Sequence, residues 1–238
     1  MALAAELVAR GGDSQAALAM LDALPSDVQN EASRIARARI LDRAGANRDQ
    51  IAELAQALID DEQATGHERA WARLLLARAA AAAGDRVAAR GHLEQAREVA
   101  PPGDELFTLT LTEAALRMGA ERLAQEAAAN MPTPLSCDAG RRAQLSAALA
   151  LARRDMRGAE AALALAPAGA RTSLLRARLL DARGQFAEAT TLYLSAAEEP
   201  SYRVEAMVWL AEMELAQGHA SEAAPRIEPL LTEYTNHP

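Results

Sequence analysis

The chain has 238 residues, about a quarter of them alanine and only 3% aromatic, with a formal net charge of −8 and a pI near 5.1. So acidic a chain lacks the basic footprint that nucleic-acid binding needs, and no nucleic-acid partner is expected. All 25 basic residues are arginine, and the single cysteine, Cys137, excludes an internal disulfide and a cysteine-based metal cluster.

Short turns, most of them marked by glycine, follow helix-like stretches roughly every 35 residues along the chain. They lie at Gly11, Gly45, Gly84, Gly119, the pair Arg154-Asp155, Gly184 and Gly218. Asp13, Asn47, Asp85 and Asp155 follow these turns, where each is placed to cap the next helix. Such a repeat length predicts helical hairpins stacked in a row, and therefore an all-α protein.

Small residues recur at fixed offsets from these turns, where closely packed helices require side chains no larger than a methyl group. Seven residues before the turns stand Ala4, Ala38, Ala77, Thr112, Ala147, Ala177 and Ala211. Five residues after them stand Ala16, Ala89, Ala124, Ala159, Ala189 and Ala223, with Gln50 as the exception. Twelve residues after them stand Ala23, Ala57, Ala96, Ala166 and Ala196, with Met131 and Leu230 as exceptions. These rows are predicted to form the contacts between helices.

Taken in chain order, the predicted hairpins cover residues 1–24, 26–62, 65–100, 103–131, 135–166, 168–199 and 201–236. Capping-box patterns at Ser26-Asp27-Val28-Gln29 and Thr65-Gly66-His67-Glu68 open two of their first helices. The long step from Gly45 to Gly84 predicts an extended connection around 60–66, and the short step from Arg154 to Gly184 predicts a trimmed hairpin around 159–170. We treat residues 1–238 as a single array.

The run Gly184-Gln185-Phe186-Ala187-Glu188-Ala189, with Tyr193 and Ala196 beyond it, resembles the tetratricopeptide repeat (TPR), and so does the unit from Ala70 to Pro101. Other units depart from that pattern, because the tryptophan common near the start of the repeat is missing from them. The resemblance implies a right-handed superhelical solenoid of about seven hairpins that binds a protein partner. It implies a concave groove, lined at four recurring positions of each first helix. Carried over to this chain, these are Arg39, Asp42, Trp71, Arg78, Glu113, Arg141, Gln144, Arg171, Arg178, Asp181, Glu205 and Glu212.

Sequence signals for catalysis are absent. The chain has no glycine-rich phosphate loop and no Gly-x-Ser-x-Gly elbow, and its four histidines lack metal-ligand spacing. The acidic run Asp60-Asp61-Glu62 lies in a predicted connection, which favours a solvated loop over general acid–base machinery. We expect no enzymatic activity, no cofactor and no metal site.

The alanine-rich, arginine-only repeats also resemble the periplasmic helical region of bacterial exopolysaccharide export proteins of the outer membrane, such as the Pel-type exporter. That resemblance implies a biofilm-related scaffold that recruits a polysaccharide hydrolase or deacetylase to the outer-membrane pore. The alternative is a cytoplasmic TPR adaptor or secretion chaperone that holds a client protein. The terminal hairpins look like interior units, so we expect a segment of a longer protein. No stretch reaches the ~18 apolar residues that a bilayer span needs, and no membrane insertion by this segment is expected.

Overall fold

The computed structural model describes residues 4–5, 8–9, 13–25, 31–43, 48–100, 102–131 and 139–235. Within these ranges thirteen helices have defined bounds and all regular secondary structure is α-helical, which confirms the predicted all-α class. The chain divides into two compact units, Met1–Thr133 and Pro134–Pro238. The predicted turns at Gly11 and Gly45, the cap Asn47, the capping box at Ser26 and the thiol of Cys137 lie outside the described residues.

Helices of the first unit follow one another with short connections. They are α1 (Ser14–Asp22), α2 (Glu31–Arg43), α3 (Arg48–Asp60), α4 (Gly66–Ala82), α5 (Arg86–Val99), α6 (Glu105–Arg117) and α7 (Glu121–Ala129). Each helix packs on the next one along the chain; in addition, α2 contacts α4, and α4 contacts α6. Alternate helices therefore lie side by side in this unit.

The second unit repeats this arrangement. Its helices are α8 (Ala139–Ala152), α9 (Met156–Leu165), α10 (Ala170–Ala182), α11 (Phe186–Ala197), α12 (Pro200–Ala216) and α13 (Ala220–Thr235). Consecutive helices pack together, and α10 also contacts both α8 and α12. Pro200 is the first residue of α12, where a fixed φ and a missing N–H are tolerated.

Five of the predicted turns share one hydrogen-bonded geometry. In each, the N–H that follows the turn residue donates to the carbonyl five residues earlier, as Gln185 does to Leu180 at 2.9 Å and Asp155 to Ala150 at 2.8 Å. This bond is typical of a helix that ends through a left-handed residue. That residue is glycine in four turns, with φ between 67° and 83°, and it is Arg154 in the fifth, with φ of 57°. The prediction that the Arg154-Asp155 pair replaces a glycine turn is confirmed.

Helix caps agree with the sequence signals wherever they are described. The carboxylates of Asp13, Asp85 and Asp155 accept hydrogen bonds from backbone N–H groups three residues later, at 2.8–2.9 Å. The Thr65 hydroxyl accepts from the Glu68 N–H at 3.1 Å, and the Glu68 carboxylate accepts from the Thr65 N–H at 2.9 Å. The capping box that opens α4 is therefore confirmed.

The small-residue rows are buried, as predicted, in most hairpins. Ala77, Ala147 and Ala177 before the turns, and Ala89 and Ala189 after them, have no exposed surface. Because alanine adds no more than a methyl group at these points, the helix backbones can approach closely. The rows therefore mark the lines along which neighbouring helices touch.

Two hairpins depart from the predicted register by one residue. In the first, Ala5 and Ala17 are buried, while Ala4 is exposed and Ala16 is only partly covered. In α3 the buried row is Ile51, Ala55 and Leu58, whereas the predicted Ala57 is exposed, as is Ala23 at the end of α1. One residue is about 100° of helix rotation, so a slip of one moves a side chain off the buried face. The predictions for these positions were wrong.

Buried carboxylates connect neighbouring helices through arginine. Glu68 has no exposed surface, and its Oε1 lies 2.6 Å from Nε of Arg34 on α2. Glu214 on α12 is 4% exposed and lies 2.7–2.9 Å from Nε and Nη2 of Arg226 on α13. A buried charge is costly unless it is paired, so each arginine is needed where its carboxylate is buried.

Candidate functional site

The predicted groove residues come together most closely on α10 and α12, within the second unit. Arg178 and Asp181 lie one turn apart on α10, and Glu205, Trp209 and Glu212 lie on successive turns of α12. The charges of Asp181, Glu205 and Glu212 all act on the Arg178 guanidinium. We call this surface the α10–α12 face.

At the centre of this face a cation rests on an aromatic ring. The Arg178 guanidinium carbon lies 4.0 Å from the centroid of the Trp209 ring, within the range of a cation–π contact. Burial lowers the pKa of Arg178, while the neighbouring acidic groups favour its charged form. The half-buried guanidinium is therefore held in place by the ring below it and the carboxylates around it.

Two further groups of this face feel the same burial. Desolvation raises the pKa of Asp181, and the charge of Arg178 opposes that rise. Tyr193 on α11 has no exposed surface, and its hydroxyl finds no hydrogen-bond partner among the described residues. Burial, with the charge of Asp181 as the next cause, raises the pKa of this phenol. The region around Tyr193, beneath the acidic side chains of this face, is therefore poorly solvated.

Exposed apolar side chains lie between the acids of α12. Glu205, Val208, Glu212 and Leu215 follow a spacing of three, four and three residues, which places them on one stripe of the helix. Val208 is 37% exposed and Leu215 is 55% exposed. Both occupy positions that the resemblance assigns to the groove, although neither is among the groove residues predicted from the sequence.

In the first unit the structure joins Arg39 and Trp71. The Arg39 guanidinium lies 4.7 Å from the centroid of the Trp71 ring, across the contact of α2 with α4. Trp71 is only 4% exposed, and its ring meets Phe107 edge-on at 5.3 Å. Its indole N–H donates to His67 Nε2 at 2.9 Å. This tryptophan is part of the core and offers almost no surface to a partner.

The remaining predicted groove residues are more dispersed. The Gln144 amide donates to the Thr172 hydroxyl at 2.9 Å, so it links α8 to α10. Arg78 is exposed, and a set of others is half-buried: Glu113, Arg141 and Arg171. The side chain of Asp42 lies outside the described residues.

The acidic run after α3 serves the local structure. Asp61 accepts from the Gln63 N–H at 2.9 Å and pairs with Arg34 at 2.7 Å, and these contacts lower its pKa. Over the described ranges, no three His, Cys, Asp or Glu side chains are grouped so as to hold a metal ion. None of the helices described is both long and apolar enough to cross a membrane.

Comparison with models of protein families gives no match for this chain, and comparison with curated proteins gives none either. The structure defines the class of the protein: it is an all-α protein of consecutively packed helices.

Proposed function

We propose that the chain is a non-catalytic protein-binding scaffold, built as a right-handed solenoid of about seven TPR-like hairpins. Three features support this proposal: five turns of identical geometry, rows of fully buried alanine on both sides of the turns, and contacts between alternate helices in each unit. Repeats of this kind stack by such nearest-neighbour contacts and present extended binding surfaces. The fold alone does not identify a partner, so the kind of partner has to be inferred from the surface residues.

The observation that carries the proposal is the composition of the α10–α12 face. Arginine and tryptophan are over-represented at the energetic centres of protein interfaces, and here Arg178 lies on Trp209 at 4.0 Å. Val208 and Leu215 add exposed apolar surface, with Glu205 and Glu212 beside them. An arginine stacked on an aromatic ring, with apolar and acidic side chains around it, suits a protein partner. With three carboxylates around one guanidinium, the face is a poor site for a polyanion.

The setting that we propose for this scaffold is the one that the sequence resemblance implies. As the periplasmic repeat region of an exopolysaccharide export system, the chain would recruit a polysaccharide hydrolase or deacetylase to the outer-membrane pore. A cytoplasmic adaptor or secretion chaperone would use the same face to hold a client protein. The two settings differ in the compartment of the partner, and that difference is measurable.

The test is affinity capture with a face variant and a matched control. Immobilised wild-type chain is exposed separately to periplasmic and cytoplasmic extracts, and the bound proteins are identified by mass spectrometry. The face variant exchanges the charges of Arg178 and Asp181, which leaves the net charge unchanged. The control exchanges Arg90 and Glu94, an exposed ion pair of α5 at 3.3 Å. Circular dichroism verifies that both variants remain helical.

We expect the wild-type chain and the control to capture a polysaccharide-modifying enzyme from the periplasmic extract, and the face variant to lose it. If the wild type instead captures a cytoplasmic client and the face variant does not, the α10–α12 face is supported as the binding site and the export setting is overturned. Equal capture by the face variant would overturn the assignment of the α10–α12 face. No specific capture from either extract would count against a protein-binding scaffold.

A further inference from the structure

A second surface feature of the same unit lies on the opposite side of α10. A groove of about 310 Å³ opens between α9 and α11, which both pack on α10. Its lining includes Arg176, Leu179 and Leu180 of α10 and Arg183, the residue that directly follows this helix. At about 100° per residue these four side chains share one face of the helix, turned away from Arg178 and Asp181. The groove is therefore separate from the α10–α12 face.

The floor of the groove is apolar. Leu163 of α9 and Leu192 of α11 line it together with Leu179 and Leu180. Leu163 and Leu179 are buried and form the bottom of the groove, whereas Leu180 and Leu192 are half-buried, so part of their surface is accessible to a ligand.

The size of the groove restricts what it can hold. Ligand pockets for drug-sized molecules and cofactors span roughly 300–1,000 Å³, so 310 Å³ is at the lower limit. The residues from Arg176 to Arg183 extend over about 10 Å along the chain. The groove can therefore receive one or two side chains of a partner segment, but it cannot enclose a whole helix, which at 10–12 Å across fills roughly 800–1,200 Å³ over that length.

The charges at the rim indicate the sign of the partner. Arg183 is engaged with Glu160 at 2.6 Å, which closes one end of the groove. Arg176, at the other end, is exposed, and the described residues supply it with one long hydrogen bond, to the Leu163 carbonyl at 3.4 Å. A guanidinium has five N–H donors, so most of those of Arg176 remain available to a carboxylate.

We propose that this groove binds an extended segment of a partner protein in which a large apolar side chain stands two residues from an aspartate or glutamate, so that both lie on the same side of the segment. The apolar side chain enters between Leu163 and Leu192 and rests on Leu179 and Leu180. The carboxylate two residues away receives hydrogen bonds from Arg176. This site is independent of the α10–α12 face, so the chain has two binding surfaces in one unit.

The test uses two short peptides, acetyl-Ser-Leu-Ser-Asp-Ser-amide and acetyl-Ser-Leu-Ser-Lys-Ser-amide, titrated into the isotopically labelled full chain. Binding is followed through the backbone amide resonances of residues 163 to 192. We expect the aspartate peptide to bind about tenfold more tightly than the lysine peptide, because the charge change replaces attraction by repulsion at Arg176. The variant Arg176→Glu should reverse that preference.

A second pair of variants tests the cavity itself. Ala164 is exposed at the rim, so Ala164→Trp fills the groove without removing a buried contact, and we expect it to abolish binding of both peptides. Ala187 on α11 is also exposed and does not line the groove, and Ala187→Trp should bind as the wild type does.

Binding that Ala164→Trp leaves intact would overturn the location of the site. Equal affinity for the two peptides, or a preference that Arg176→Glu does not change, would overturn the role of Arg176. No response to either peptide at millimolar concentration would overturn the groove as a binding site. Because Arg176 is exposed, its variant tests the proposal even if Ala164→Trp fails to fold.

Discussion

Replacing Arg154 by glycine should stabilise the protein. Arg154 holds a φ of 57°, while glycine holds the same place in four other turns, at φ between 67° and 83°. The left-handed conformation costs a residue with a side chain about 1–2 kcal/mol. However, glycine makes the unfolded chain more flexible, and this lowers the free energy of unfolding by about 0.4–1 kcal/mol. Arg154 is exposed, so its replacement removes few contacts. The relief of backbone strain therefore exceeds the cost in the unfolded chain, and the free energy of unfolding should rise by about 0.5–1 kcal/mol.

Urea unfolding followed by circular dichroism measures this gain, and the midpoint temperature of thermal unfolding should rise by about 1–4 °C. Arg153→Gly is the matched control, because Arg153 is also exposed but is not among the residues with positive φ. The free energy of unfolding of Arg153→Gly should fall by about 0.5–1 kcal/mol. The reciprocal change Gly184→Ala should destabilise the next turn. A loss of stability in Arg154→Gly as large as that of the control would refute the equivalence of the turns.

Three further predictions concern the second unit. Ala189 has no exposed surface, so Ala189→Leu should cost ~1–3 kcal/mol through overpacking, and an unchanged thermal melting curve would contradict the packing described. Burial raises the pKa of Asp181, so the stability that its protonated form contributes is present below the unfolded-state value near 3.9 and is lost as pH rises through the folded-state value. Asp181→Asn should therefore gain free energy of unfolding relative to the wild type as pH rises from about 3 to 6; a difference independent of pH would speak against this. A double-mutant cycle with Arg178→Met and Trp209→Leu should give a coupling of about 0.5–2 kcal/mol, and additive effects would mean that the cation–π contact contributes nothing.

Turn positions and most helix contacts are predictable from the sequence, because the repeat supplies several copies of the same signal. The unusual turn at Arg154 is found from the spacing of its glycine counterparts, although arginine itself indicates no turn. In the first hairpin the register errors arise where alanines are adjacent. Both Ala16 and Ala17 satisfy a rule for small residues, and only the packed structure shows that Ala17 is the buried one.

The α10–α12 face is predictable only in part. Arg178 and Asp181 follow from their places in the repeat, but the role of Trp209 depends on its contact with a residue of another helix. Val208 and Leu215 could have been found from the same spacing, because they stand at the two positions of that helix between and after Glu205 and Glu212. The leucine groove could not, because its volume depends on the space between α9 and α11, which no sequence pattern records.

The order of the helix contacts has a consequence for how the protein folds. In each unit the extensive contacts join helices that are one or two apart along the chain. Forming them requires only short loops to close, and proteins with such local contacts fold in microseconds to milliseconds. In a solenoid of the kind proposed, folding can start at any hairpin and spread to its neighbours. A segment emerging from the ribosome would not need to wait for distant parts of the chain before its first hairpins pack.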